Sequence, residues 1–190
     1  MYELQFDGLF RRVGENTKTG IMAYGWLIVE ESKIIARGYG AVAGKTEATS
    51  NVAEYLALIE GMNALLDMGA QDETVLVCGD SKIVISQMEG KTSIHAERMK
   101  ELNLQAVHVA RQFRKINYEW RRRSNNKAAD TLTRHALKQA RKNQPHYDAI
   151  IQKLVSPGST RRSRPQNLVD TFLPLVALAV YRPTGLSLVG

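Results

Sequence analysis

The length, composition and charge of the chain narrow the class of protein it can be. Its 190 residues, 44% hydrophobic and 24% charged, are enough to bury one core of ordinary size. Lysines and arginines number 26 against 19 aspartates and glutamates, and the formal net charge of +7 favours a polyanionic partner. No basic amphipathic segment stands out, so we expect that partner to be nucleic acid rather than a membrane surface.

Alternation of apolar and polar residues predicts strands at the start of the chain. The segments "YELQF", "GWLIV" and "SKIIARGYG" alternate in this way, which predicts an antiparallel meander. From Asn51 the apolar residues recur at helical spacing until Gly69, which predicts a helix over residues 51–68.

The following segments alternate strands with helices. The short apolar run "TVLVC" at 74–78 is typical of a strand buried on both faces, and "DSKIVISQMEG" has the pattern of a short helix. A longer helix, a strand at "INYEW" and a last helix at "NNKAADTLTRHALKQARK" follow. The order βββαβααβα predicts an α/β protein in which helices pack on a mixed sheet.

The composition changes near residue 150, and we expect no targeting signal at the start of the chain. "SPGSTRRSRPQN" has the composition of a linker, and "FLPLVALAVY" is too short to span a membrane. We predict one domain over residues 1–147 and, over 148–190, a linker and tail that are disordered or loosely docked. Cys78 is the only cysteine, and "MYELQFDG" lacks the features of a signal peptide, so we expect a cytoplasmic protein.

Four acidic residues occupy the ends of predicted elements. Asp7 ends the first strand, Glu54 lies in the first turn of the first helix, Asp80 follows the buried strand, and Asp130 lies in the first turn of the last helix. In a sheet whose first strand is central, these positions can converge. Four clustered carboxylates repel one another unless cations lie among them. Oxygen ligands favour Mg²⁺ or Mn²⁺, and two such ions about 4 Å apart are the usual apparatus for cleaving phosphodiesters.

Each acid also has a purely structural explanation. Glu54 fits the third position of a capping box opened by Asn51, and Asp130 can pair with Arg134 one turn further along its helix. Asp7 and Asp80 can cap turns or helices.

The segments that carry these acids resemble the four signature segments of type 1 ribonuclease H, in order and approximate spacing. They are "FDG" at 6–8, "TSNVAEYLAL" at 49–58, "GDSKIVISQ" at 79–87 and "RSNNKAADTL" at 123–132. The resemblance implies a ribonuclease H-like fold over the predicted domain, with a five-stranded mixed sheet in which the first three strands are antiparallel and the last two are parallel. It also implies endonucleolytic hydrolysis of the RNA strand of an RNA/DNA hybrid, with two Mg²⁺ or Mn²⁺ ions, giving 5′-phosphate and 3′-hydroxyl ends.

The same resemblance implies a role for each acid. Asp7 would bridge both ions, Glu54 and Asp80 would hold the ion on the leaving-group side, and Asp130 would hold the ion that carries the attacking water. Glu54 would also touch a ribose 2′-hydroxyl, the group by which a protein distinguishes RNA from DNA.

Further residues match positions that the family uses around the reaction. Many members have a histidine before the final aspartate, where it is thought to help the product leave, whereas "EWRRRSNN" has none. The chain instead resembles the subgroup whose loop carries "R..N..AD", with Arg123 and Asn126 at the matching positions and Arg123 as the candidate for the role of the histidine. Ser50 stands where many relatives have asparagine. The resemblance implies nucleic-acid contacts at Gly8, Thr49, Ser50, Asn51, Ser81, Arg122 and Asn126.

The chain also lacks two features by which relatives grip their substrate. No tryptophan-bearing basic handle follows Gln87 in the sequence, and we expect no hybrid-binding domain before Asp7. The basic run from Arg111 to Arg123 can serve as a phosphate track or can be a solvated basic face.

Two other functions stay open. A DEDD exonuclease or a resolvase on the same fold would use similar acids, and a non-catalytic module could bind hybrids without cleaving them. We expect a monomer, and the sequence indicates no particular protein partner.

Overall fold

The computed structural model describes residues 1–45, 47–155 and 173–181 of the chain. Six strands form one sheet in the order β5-β4-β1-β2-β3-β6. Strands β1, β2 and β3 are antiparallel neighbours, whereas β4 runs parallel to β1 and β5 parallel to β4. This arrangement of the first five strands confirms the predicted mixed sheet. The strands are β1 Tyr2–Arg12, β2 Gly20–Glu30, β3 Lys33–Gly44, β4 Thr74–Gly79, β5 Lys115–Trp120 and β6 Leu173–Tyr181.

Helices cover both faces of the sheet, and β2 is therefore buried on both sides. Met22, Trp26 and Ile28 pack with the first three helices, whereas Ile21 and Ala23 pack with the last two. Among the described residues, no helix is long and apolar enough to cross a membrane. The helices are α1 Ser50–Asp67, α2 Lys82–Met88, α3 Glu97–Ala110, α4 Lys127–Ala140 and α5 Gln144–Val155.

The first strand is longer than its alternating pattern predicted. It continues through Asp7 to Arg12, so Asp7 lies inside β1 rather than at its end. The Asp7-Gly8 pair is typical of a turn, but here Asp7 pairs with Gly25 of β2. The parallel pairing with β4 ends one residue earlier, at Phe6 and Gly79. Asp7 is therefore the first residue of β1 that β4 no longer borders.

Two elements near the C-terminus were absent from the predicted order. Helix α5 spans residue 147, where we placed the end of the domain, and it buries Ile150 and Leu154 against β2, β3 and α4. Strand β6 pairs antiparallel with β3, and its Pro174 is tolerated because β6 is an edge strand. The predicted linker at 156–167 lies outside the described residues, as do residues 168–172 and 182–190.

Candidate active site

Three of the four acids meet where β4 ends. Asp7 comes from β1, Glu54 from α1 and Asp80 from the residue after β4, and each offers a carboxylate oxygen within 4.8 Å of the others. Glycine at position 8 permits this approach, because a Cβ there would lie 2.2 Å from the backbone nitrogen of Glu54. Helix α1 therefore crosses directly over β1 and carries Glu54 to Asp7.

Burial, with a smaller contribution from neighbouring carboxylates, raises the pKa values of all three carboxyls. Asp7 is only 3% exposed, and burial raises its pKa to about 6, with smaller contributions from the charges of Asp80 and Asp130. Burial, followed by the charges of Asp7 and Asp80, holds the pKa of Glu54 well above its usual range. Burial is also the main cause that raises the pKa of Asp80. The fold thus places three acids where their negative charges are poorly stabilised by the protein alone.

This donor set fits a divalent cation. The Oε2 atom of Glu54 is buried and has no hydrogen-bond partner among the described residues. A cation among the three carboxylates would supply that partner and would offset their repulsion. Because all the donors are oxygens, Mg²⁺ and Mn²⁺ suit the site better than metals that prefer nitrogen or sulfur ligands.

The fourth acid, Asp130, lies near this group but is held by arginines. Its charge reaches Asp7 and Asp80, whose pKa values it helps to raise. Its own pKa is lowered, first by the hydrogen bond from Arg134 and then by that from Arg123. The Nε atom of Arg134 lies 2.6 Å from one carboxylate oxygen and Nη2 of Arg123 lies 2.6 Å from the other. The predicted pair between Asp130 and Arg134 is therefore confirmed.

The capping-box explanation for Glu54 is wrong. Thr49, not Asn51, is the N-cap of α1, and its Oγ1 accepts a hydrogen bond of 3.2 Å from the backbone of Val52. Glu54 consequently lies five residues beyond the cap, too far to reach back to it. Its burial beside Asp7 has no capping role.

Asn126 binds the protein backbone, and the nucleic-acid contact assigned to it stays a prediction. It is completely buried, and its Nδ2 donates a hydrogen bond of 2.8 Å to the backbone carbonyl of Phe6. Thr133 of α4 makes a similar link, because its Oγ1 lies 3.1 Å from the carbonyl of Asp7 and 3.1 Å from that of Ala129, and its one hydrogen is shared between them. These two bonds fix α4, and with it Asp130, against β1. The sequence analysis missed Thr133, whose only signal was a polar residue between the buried Ala129 and Ala136.

The other assigned contact residues differ in exposure and in the hydrogen bonds that they make. Ser50 and Arg122 are exposed, and Asn51 is partly exposed. Thr49 and Ser81 cap α1 and α2 through their side-chain oxygens, so each keeps a hydroxyl hydrogen that can be donated to a ligand. Gly8 is partly exposed beneath α1.

The basic run from Arg111 to Arg123 does not form one track. Arg121 donates to Glu3 at 2.6 and 2.9 Å and to Glu119 at 2.7 Å, so its guanidinium belongs to a protein ion-pair network. Arg111 lies before β5 and Arg123 after it, so the six-residue strand, about 20 Å long, separates the two groups. Of the basic residues on either side of β5, those that follow the strand lie on the side of the carboxylates, because Arg123 donates to Asp130.

Trp120 is a site residue that the sequence analysis missed. Its Nε1 donates to the backbone carbonyl of Asp80 at 2.9 Å, and Nζ of Lys82 lies 4.4 Å from the centre of its ring. The indole thus ties the end of β5 to the segment that carries Asp80. No local pattern indicates this contact, because the two residues are distant in sequence.

Comparison with known proteins places this site in a family. The model of the reverse transcriptase-like family matches residues 6–136. The curated "Bifunctional protein Rv2228c" of Mycobacterium tuberculosis is 35% identical over 165 residues, which are 82% of this chain and 44% of that protein. The chain therefore spans less than half the length of that relative. "Ribonuclease HI" of Halobacterium salinarum is 32% identical over 136 residues, 71% of this chain and 63% of that protein.

Solved structures agree with this placement. The N-terminal RNase H domain of Rv2228c, solved as a fusion with maltose binding protein, has a TM-score of 0.63 and 32% identity, over 80% of this chain and 96% of that one. LC11-RNase H1, solved in complex with an RNA/DNA hybrid, has a TM-score of 0.64 and 25% identity, over 74% and 99%. The fold and the acidic site define a ribonuclease H-like protein. The chain belongs to the reverse transcriptase-like family and, within it, to the type 1 ribonucleases H.

Proposed function

We propose that this protein is an endoribonuclease that hydrolyses the RNA strand of RNA/DNA hybrids and leaves 5′-phosphate and 3′-hydroxyl ends. The observation that carries the proposal is the meeting of Asp7, Glu54 and Asp80 within 4.8 Å of one another, beside Asp130, in a member of the type 1 ribonuclease H family. The hybrid bound by the related LC11-RNase H1 supports the choice of substrate.

The four acids divide the work of holding two divalent cations, Mg²⁺ or Mn²⁺. Asp7, Glu54 and Asp80 would hold one ion, and Asp7 and Asp130 the other. Ions bound there would supply a nucleophilic water near neutral pH and would stabilise charge on the reacting phosphate. Asp7 is the residue common to both ions, and the hydrogen bond from Thr133 to its backbone carbonyl fixes its place in β1.

Two further side chains would act on the nucleic acid itself. Glu54, on the first helix, would accept a hydrogen bond from a ribose 2′-hydroxyl, which DNA lacks. The side chain of Arg123 is 65% exposed and adjoins Asp130, so it can turn toward the 5′-phosphate product and help it to leave. Arginine stays charged at any accessible pH and binds phosphate through a planar fork of donors.

The experiment that tests this function is a cleavage assay on an end-labelled RNA/DNA hybrid in Mg²⁺ or Mn²⁺. Double-stranded RNA, double-stranded DNA and both single strands of the same sequence serve as controls. We expect internal cuts in the RNA strand of the hybrid alone, and none after chelation of the metal. Shortening from one end would indicate an exonuclease instead, and binding without any cut would indicate a hybrid-binding module.

A further inference from the structure

Both carboxylate oxygens of Asp130 are already engaged by arginines. Arg134 donates from Nε to Oδ2 at 2.6 Å and from Nη2 to Oδ1 at 3.3 Å, and Arg123 donates from Nη2 to Oδ1 at 2.6 Å. Among the described residues, the cluster of carboxylates within 4.8 Å of one another contains Asp7, Glu54 and Asp80 but not Asp130. A cation that takes Asp130 as a ligand must therefore displace or share these hydrogen bonds.

The contact with Arg134 is built into a single helix. The two residues are four apart on α4, so their side chains face each other whenever the helix is formed. The planar guanidinium matches a carboxylate through two donors. The contact therefore holds the carboxylate in place and also stabilises its negative charge. The side chain of Arg134 is 61% exposed, and Asp130 is its only recorded ion-pair partner in the described part of the chain.

We propose that Arg134 is a positioning residue that competes with the second divalent cation for the carboxylate of Asp130. The cation associated with Asp130 then binds more weakly than the one held by the three clustered acids, and the contact with Arg134 sets part of that difference. This inference rests on the proposed metal-dependent function, because it concerns the same site.

The expected size of the effect follows from the exposure of the pair. Exposed ion pairs change an equilibrium by a small amount, so removal of Arg134 should tighten the Asp130-dependent site about two- to five-fold. Neutralising any nearby positive charge would also favour a cation through space, and the experiment must separate this general effect from the direct contact.

The test measures Mn²⁺ binding to the full chain without nucleic acid, by the loss of the free Mn²⁺ signal in electron paramagnetic resonance. Asp130→Asn identifies the binding that depends on Asp130. Arg134→Gln should tighten that binding about two- to five-fold, as set by an exposed pair. Arg134→Lys keeps the charge but loses the two-donor fork, so it should tighten the same binding by a smaller factor.

Two controls isolate the contact. Lys138→Gln removes one positive charge from the same helix, about 12 Å along the helix axis from Asp130. This change should leave the Mn²⁺ affinity unchanged. Adding Arg134→Gln to Asp130→Asn should produce no tightening, because the acid for which the arginine competes is gone. Unfolding midpoints of all variants, measured without metal, show that each is folded.

Each contrary outcome has a separate meaning. Equal Mn²⁺ affinity in Arg134→Gln and the unsubstituted protein would overturn the inference and leave the proposed function standing. Equal tightening by Lys138→Gln would also overturn it, because the cause would then be charge at a distance. Absence of Mn²⁺ binding to the unsubstituted protein would overturn the metal-dependent function and the inference together.

Discussion

Replacement of Asp7 by asparagine should abolish cleavage and at the same time stabilise the metal-free protein. The pKa of Asp7 is higher in the folded protein than in the unfolded chain, so the folded state binds the proton more tightly. The rise from 3.8 to about 6 corresponds to about 3 kcal/mol of lost folding free energy once the acid is ionised. Asparagine carries no charge and removes this loss.

The sign of the shift fixes the pH window. Below about pH 4 Asp7 is protonated in both states, so aspartate and asparagine should give similar stability there. As the pH rises from about 4 through about 6, the unsubstituted protein loses stability relative to the variant, because the unfolded chain releases the proton of Asp7 more readily than the folded protein does. Above that range the loss is complete. At pH 7.5 we expect Asp7→Asn to be more stable by about 1–3 kcal/mol, or about 2–10 °C in its midpoint.

The assay is thermal or urea unfolding in a chelator at several pH values, beside cleavage of a labelled hybrid. Saturating Mg²⁺ should raise the midpoint of the unsubstituted protein more than that of the variant, because the variant has lost a shared ligand. Asp72→Asn is the matched control. Asp72 is exposed and lies just before β4 begins, whereas Asp80 lies just after β4 ends. The reasoning is refuted if Asp7→Asn is no more stable than the parent at pH 7.5, or if it cleaves the hybrid normally in Mg²⁺.

Three further changes test other parts of the site. Arg123→Ala should lower kcat about ten- to a hundred-fold with little change in KM. Steady-state kinetics at two salt concentrations check this prediction. A salt-sensitive rise in KM alone would exclude the product-release role. Asn126→Ala leaves the carbonyl of Phe6 without its donor and should destabilise the fold by about 1–3 kcal/mol in urea unfolding; a stable variant with a raised KM would instead support the nucleic-acid contact. Removal of residues 157–190 should leave hybrid cleavage largely unchanged, because β6 is separated from β1 by two strands; its loss should lower only the unfolding midpoint, and a folded but inactive product would contradict this.

The acids were predictable from sequence because their chemistry and their places in the chain point the same way. Asp80 follows an apolar run whose length fits a buried strand, and Asp130 lies in the first turn of a helix with a clear apolar stripe. Asp7 was chosen as a candidate because it is acidic, although we predicted that its strand ends there and the strand in fact continues to Arg12. The Asp7-Gly8 pair is a turn signal, and only the packing of α1 over Gly8 shows why a glycine belongs inside a strand there.

Contacts between residues distant in sequence could not be predicted in the same way. Arg121 and Arg123 lie in one basic run, yet Arg121 pairs with Glu3 and Arg123 with Asp130. Nothing local distinguishes two such arginines, because the partner of one lies at the start of the chain. Asn126 presents the same difficulty, since an amide that binds nucleic acid and an amide that binds the carbonyl of Phe6 have the same sequence signal.

The way in which α4 is attached explains how the fold tolerates its repelling acids. Without metal, the repulsion among Asp7, Glu54 and Asp80 favours separation of β1, α1 and β4. Three contacts oppose that separation: the packing of α1 against Gly8, and the hydrogen bonds from Asn126 and Thr133 to the β1 backbone. None of these contacts uses a carboxylate. The framework that positions the acids is therefore independent of their charge. For this reason substitutions of the acids should affect metal binding and cleavage without loss of the fold, whereas substitution of Asn126 or Thr133 should affect the fold first.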